Sequence, residues 1–198
     1  MKVEPPVQGW LTGPFHEDFR TLLLHACARE QLFCPAYCLM PDHLHLMCLG
    51  LSLDSDQLNA TRFLRTFLNR LLEGKKIENR PAMAPLKPAV DPKESAVDSR
   101  PQPQPPPQPP VRWELQPQAY DHVLREEERK QNAFAKVCFC ILANPVRAEL
   151  VKHEPDWPFS GAVVPGYPDL YPFQEDYWEL FWKIYVRHRE PTPLDPPQ

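Results

Sequence analysis

Between Asp18 and Gln31 the apolar residues Phe19, Leu22, Leu23, Ala26 and Cys27 recur at three- and four-residue intervals, the spacing of one buried helix face. A helix is predicted there. The pattern then changes to short apolar runs, "PAYCLM" and "LHLMCLGL", which read as two strands. Pro41 and Asp42 between them suit the corners of a tight turn, so the strands form a hairpin. Behind them "LDSD" supplies helix-capping side chains. Leu64, Phe67, Leu68, Leu71 and Leu72 then fall on one stripe of a second helix that Gly74 stops. The opposite side carries Arg62, Arg65, Asn69 and Arg70, followed by Lys75 and Lys76. Such a face is either solvated or phosphate-contacting.

Periodicity disappears from Arg80 to Pro110, where eleven prolines culminate in "PQPQPPPQPP". This is the composition of an extended polyproline spacer, projecting from the domain as an insertion, with an SH3-type ligand role as the alternative. Pattern resumes at "AYDHVLR", which predicts a strand, and "EEERKQNAFAKVCFCILAN", which predicts a helix with acids in its first turn and Pro145 at its end. Phe134, Val137, Cys138, Ile141 and Leu142 make its buried stripe. Lys136, Cys140 and Asn144, each four apart, share another face. "EPDWPFSG" is turn-rich. The tail "FQEDYWELFWKIYVRHRE" predicts an amphipathic helix with Trp178, Phe181, Trp182 and Tyr185 on one side; such a stripe is more often core or partner-facing than a base-stacking surface.

These segments divide the 198 residues into one interrupted domain rather than two. Residues 1–79 form its first part, 80–111 the proline-rich insertion, 112–161 its second part and 162–198 a C-terminal extension. The 27 prolines against 6 glycines fit a chain that is not packed throughout. A net charge of −4 argues against a wholly basic nucleic-acid coat but leaves room for a local basic face. Six cysteines without paired CxxC spacing read as reduced thiols, and the start "MKVEPPVQGW" has no apolar signal core. No apolar run approaches the roughly 20 residues that span a bilayer. A cytoplasmic location without membrane contact is the expectation.

One pair of residues suggests chemistry. His43 and His45 lie two apart in a predicted strand, so both imidazoles project from one face while Leu44 turns to the other. Two such rings make half of a metal clamp; a lone pair of strand histidines is structural at least as often.

Four motifs in order then resemble the REP-associated tyrosine transposases, the single-tyrosine branch of the HUH endonucleases. They are "MPDHLHLM", "RWELQPQAYDHVLREEE", "ILANPVRAELV" and "EPDWPFSG", covering roughly Phe15 to Gly161 apart from the insertion. The resemblance implies an α+β, ferredoxin-like fold and action on single-stranded or hairpin DNA of repetitive extragenic palindromes. It also implies a bacterial, nucleoid-associated setting. In that family two histidines and a polar side chain of the late helix hold a divalent ion, Mg²⁺ or Mn²⁺, that polarises the scissile phosphate. A tyrosine attacks it, leaving a 5′-phosphotyrosine and a free 3′-hydroxyl. Here His43 and His45 match the histidines and Asn144 the third ligand position. Arg62, Arg65, Arg70, His122 and Arg125 are the DNA-binding expectations. A homodimer, and protein contacts through the proline tract, are further partners the sequence leaves open.

Two departures stand out. The family's nucleophile falls four residues before the asparagine, where this chain has Cys140. The thiol attacks in its place, Tyr120 substitutes, or strand transfer is lost and a DNA-binding protein remains. The family also opens on a central strand, whereas Pro5 and Pro6 do not suit one. Outside nucleic acids, the alternative is a scaffold that recruits proteins through its proline tract and aromatic tail.

Overall fold

The computed structural model describes residues 3–4, 9–74, 114–115 and 133–189. The predicted "AYDHVLR" strand, the proline tract and the "EEERKQN" start of the late helix lie outside them, as do Tyr120, His122 and Arg125.

Helix α1 spans Gly13–Arg29, a turn earlier than the apolar spacing marks. Thr12 sets that start: its Oγ1 accepts from the Phe15 N–H at 3.3 Å, and Pro14 follows in the first turn, where its missing N–H costs nothing. Phe15, Phe19, Leu23, Ala26 and Cys27 form its buried face. Gln31, in left-handed backbone at φ 51°, turns the chain into strand β2, Leu32–Leu39, which pairs with β3, Leu44–Gly50. Met40 N–H donates to the His43 carbonyl at 2.7 Å, closing a hairpin with Pro41 and Asp42 at its corners, as the sequence predicts.

β2 begins ahead of the expected Pro35, and Pro35 is accommodated by a bulge. The register steps from Phe33↔Leu49 to Ala36↔Met47, and on the other side from Cys34↔Val163 to Tyr37↔Gly161. One extra residue on β2 removes the need for a proline N–H in the ladder. The Pro35 carbonyl accepts from the buried Tyr177 hydroxyl at 2.6 Å.

Helix α2, Gln57–Gly74, starts on the expected cap: Asp56 Oδ1 accepts from Asn59 N–H at 2.8 Å. Ala60, Leu64, Leu68 and Leu72 are its buried line, while Phe67, expected in the stripe, is half-buried under the Arg70 guanidinium. Asn69 is not part of a solvated face either, because its Oδ1 accepts from the Leu115 N–H at 2.8 Å. That contact holds β4, Glu114–Leu115, which pairs with β1, Val3–Glu4, in a separate two-stranded ladder.

Helix α3, Ala133–Leu142, gives way at Ala143 to a single turn, α4, Asn144–Arg147. The segment expected to be turns contains a 3-10 turn at Glu154–Asp156 and then enters strand β5, Ser160–Val163, antiparallel to β2. β5 crosses the expected boundary at 161/162. Its four residues, one of them a glycine, carry no alternation, so the sequence pattern does not mark it. Helix α5, Tyr177–His188, closes the described chain.

The result is a mixed α+β architecture: a small antiparallel sheet in the order β3-β2-β5 with helices on both faces. α1 and α2 cover one face through Phe19, Leu23, Leu64 and Leu68 against Cys34, Tyr37, Leu39 and Leu44. The other face meets α3 through Cys138, Ile141 and Leu142 packed on Ala36, Cys38 and Met40. α5 lies beside it, with Tyr177 and Phe181 on Phe33, Ala162 and Val164. The tail helix therefore buries Tyr177 and Phe181, whereas Trp182, expected on the buried side, is 40% exposed. No helix among the described residues is long and apolar enough to cross a membrane.

Candidate functional site

The hairpin geometry decides where the histidines point. Leu44 is buried and joins Leu46 and Cys48 on the α1 and α2 side. By alternation His43, His45, Met47 and Leu49 face the α3 and α5 side, where Met47 and Leu49 make their contacts. The two imidazoles stand edge to face with centroids 4.7 Å apart. They share one strand face, as the His-Leu-His spacing requires.

Their surroundings differ. Asp42, exposed at the corner of the turn, places Oδ1 2.6 Å from His43 Nδ1. A carboxylate accepting from Nδ1 orients the ring and, in the neutral tautomer, leaves the lone pair on Nε2, the arrangement that orients histidine ligands. His45 is half-buried and makes no hydrogen bond to a described residue. Burial lowers its pKa to about 4, with the neighbouring His43 and the Arg147 guanidinium adding to the effect. At neutral pH it is an uncharged imidazole, the form that binds metal.

The wall behind His45 is Cys38, its partner across the ladder, and beyond it Ser160 on β5. Burial pushes the Cys38 thiol up to about 11, so it is a protonated apolar neighbour rather than a thiolate ligand.

The α3–α4 break comes from Pro145. Lacking an N–H, proline leaves the Ile141 carbonyl without its usual helical donor, and Asn144 Nδ2 donates to that carbonyl instead at 3.3 Å. Asn144 is half-buried. With its amide nitrogen turned inward, its Oδ1 accepts no hydrogen bond from a described residue, which leaves a hard oxygen available. One turn on, Arg147 is exposed and close enough to His45 to act on its protonation. Spacing gave no reason to single out Arg147; only the packing of α3 and α4 on the histidine face reveals it.

On α3, Lys136 and Cys140 are exposed on one side together with Phe139. Asn144, expected to share that side, belongs instead to the next helical turn and is partly covered. Arg62, Arg65 and Arg70 lie on α2, which covers the other face of the sheet from the histidines. The structure thus brings the histidine strand and the Asn144 turn to one face and puts the basic helix behind the sheet. Among the described residues no three His, Cys, Asp or Glu side chains gather into a metal-binding cluster.

The α1 side holds a titratable pair that sequence reading missed. His16 Nε2 and the Tyr37 hydroxyl lie 2.9 Å apart. Burial, helped by the charge of Arg20, lowers the His16 pKa to about 4, and burial raises that of Tyr37. Tyr37 is 1% exposed, so the pair is a core contact rather than an open site.

No family model matches the chain, and neither the curated proteins nor the solved structures contain a match.

Proposed function

We propose that the chain is a transposase-like DNA-binding protein on the ferredoxin-like HUH plan, taking single-stranded or hairpin DNA of the repetitive palindromic type. In this reading the covalent strand-transfer chemistry is absent because Cys140 stands at the nucleophile position. One observation carries the proposal: His43 and His45 stand on the sheet face that also receives α3 and α4, the elements bearing Cys140 and Asn144. The order α1, β2, β3, α2, with both helices packed on one face of an antiparallel hairpin, supports the ferredoxin-like reading, with the added difference that β5 pairs with β2.

The donor set fits a divalent cation. His43 Nε2 is oriented by Asp42, His45 is neutral, and Asn144 presents an amide oxygen. Two imidazoles and one amide carry no charge, so Mg²⁺ or Mn²⁺ is held firmly only with a DNA phosphate completing its shell. The ion supplies polarisation of a phosphoryl oxygen. The chain's own part is to fix the imidazoles, keep His45 unprotonated and present the DNA backbone to them, with Arg147 adding positive charge on the same side.

A labelled hairpin oligonucleotide with Mn²⁺ or Mg²⁺ tests the proposal. The expected result is binding without a covalent adduct on a denaturing gel, with Cys140→Tyr restoring a protein–DNA adduct. A wild-type adduct that vanishes in Cys140→Ser makes the thiol catalytic and overturns the loss of chemistry. One that survives that change points to a tyrosine elsewhere, with Tyr120 first. Failure to bind any hairpin overturns the DNA reading itself.

A further inference from the structure

Next to Cys140 the surface changes character. Phe139 is 58% exposed and Trp182 is 40% exposed, although burying such rings is worth about 2–3 kcal/mol each. They are not isolated. Phe139 lies 6.1 Å from Trp178, Trp178 lies 6.2 Å from Phe134, and Phe134 lies 5.1 Å from Trp182, centroid to centroid. The four rings run continuously from the exposed side of α3 to that of α5. Trp178 and Phe134 are half-buried and anchored in the core, so the row has rigid footings and two open ends.

The charges beside it select the partner. Lys136 precedes Phe139 and Cys140 by three and four residues on the exposed side of α3, so cation, ring and thiol share one patch. On α5 the Glu179 carboxylate, which would repel a phosphate, is held by Lys183 at 2.6 Å, and the exposed Glu175 and Asp176 stand at the N-terminal end of the helix, before Trp178, so the cations flank the row on its Lys136 and Arg187 sides. Arg187 is exposed one turn further. Exposed rings interleaved with cations are what single-stranded nucleic acid requires: flat apolar faces for unstacked bases and positive charge for the backbone between them. Exposed aliphatic side chains lie on α5, Leu180 at 37% and Val186 at 62%, whereas none is exposed beside Phe139 and Cys140 on α3, where the rings and Lys136 dominate.

We propose that Phe139, Trp178 and Trp182 form a stacking platform that takes the unpaired bases of single-stranded DNA as it passes Cys140, with Lys136 on its backbone. This rests on the DNA reading above. The platform gives the strand a defined path without base-specific hydrogen bonds, because every base offers a π-face.

The test uses the full chain and a DNA hairpin carrying an unpaired tail with 2-aminopurine in the tail, beside the same hairpin without a tail. Wild type is expected to quench the 2-aminopurine and to bind the tailed hairpin more tightly. Phe139→Ala and Trp182→Ala are each expected to weaken tail binding roughly tenfold, the scale of one base–ring stack, while Phe139→Trp retains it. Phe139 is the more exposed ring, while Trp182 also packs on Phe134, Phe181 and Tyr185; wild-type quenching reads the contact with no substitution at all.

Tight binding with no quenching, or unchanged affinity in both alanine variants, overturns the platform and leaves the DNA reading standing. No binding of either hairpin overturns both. If the alanine variants instead turn a dimer into a monomer without touching DNA affinity, the rings are a self-association face and the platform is overturned.

Discussion

The two faces of one three-stranded sheet are built differently. On the α1 and α2 side a single apolar cluster of leucine, phenylalanine and small residues is closed from Trp10 to Val163. On the α3 and α5 side the covering helices meet the sheet through two smaller clusters. Histidines, exposed rings and an exposed thiol surround those contacts. The closed face buries one continuous cluster, while the open face buries two smaller ones and leaves His43, His45, Phe139, Trp182 and Cys140 partly or largely exposed. If the proposed DNA and metal reading holds, a residue's worth to stability and its worth to that ligand separate by face.

The largest effect expected from this contrast is on the closed side. Leu68 is fully buried at the centre of α2's contact with the sheet, and Leu68→Ala is expected to cost about 2–5 kcal/mol through lost transfer energy and the cavity left behind. On the open side His43→Ala is expected to change stability by under about 1 kcal/mol while lowering metal affinity in the DNA complex. Urea melts and calorimetry with bound oligonucleotide compare the two. Equal destabilisation by both would erase the distinction between the faces.

A close approach in the closed face gives the next effect. At Gly161 a Cβ would stand 2.7 Å from the Tyr37 hydroxyl oxygen and 2.9 Å from the ring carbon bearing it. That ring cannot swing aside, because it packs on Phe19 and shares a hydrogen bond with His16. Gly161→Ala is expected to destabilise by about 1–3 kcal/mol, and Tyr37→Phe in the same chain to relieve part of it. A neutral Gly161→Ala would show that β5 shifts easily on β2.

The rim of the closed face adds a pH dependence. The folded pKa of His16, about 4, lies below the ordinary 6.5. Above 6.5 both folded and unfolded chains keep the ring neutral. Between 6.5 and 4 the unfolded chain takes the proton and the folded one does not, so stability falls as pH falls through that window and levels off below it. The loss from this half-buried ring is about 1 kcal/mol once solvent screening is allowed for. His45 acts in the same direction, so His16→Gln is expected to remove part of the slope in thermal melts between pH 7 and 4. A wild-type stability flat across that range would contradict both.

The smallest effect concerns the basic helix behind the sheet. Arg62 is exposed on α2, away from the histidine face, and if α2 contacts the DNA backbone, Arg62→Ala flattens the log-log salt dependence by about 0.7–0.9. An unchanged slope confines DNA to the open face and sharpens the comparison.

Local chemistry determined much of this protein in advance. Helical spacing located α1, α2, α3 and α5, Asp56 marked the start of α2, Pro41 and Asp42 marked the hairpin corner, and the period of two put His43 and His45 on one face. Each of these depends on residues within a turn or a strand pair of one another, which is the range over which propensity and periodicity act. What the tertiary structure decided depends on contacts between distant segments. Ser160–Val163 is a strand because β2 offers it an edge, not because its own sequence alternates. Tyr177 rather than Trp182 is buried because its hydroxyl finds the carbonyl that the Pro35 bulge frees. Asn69 ties down β4, Asn144 serves the carbonyl that Pro145 leaves open, and the arginines of α2 lie behind the sheet from the histidines. An amide or a charge reads the same in sequence whether it meets water, backbone or a ligand; only the packing of the elements assigns its partner.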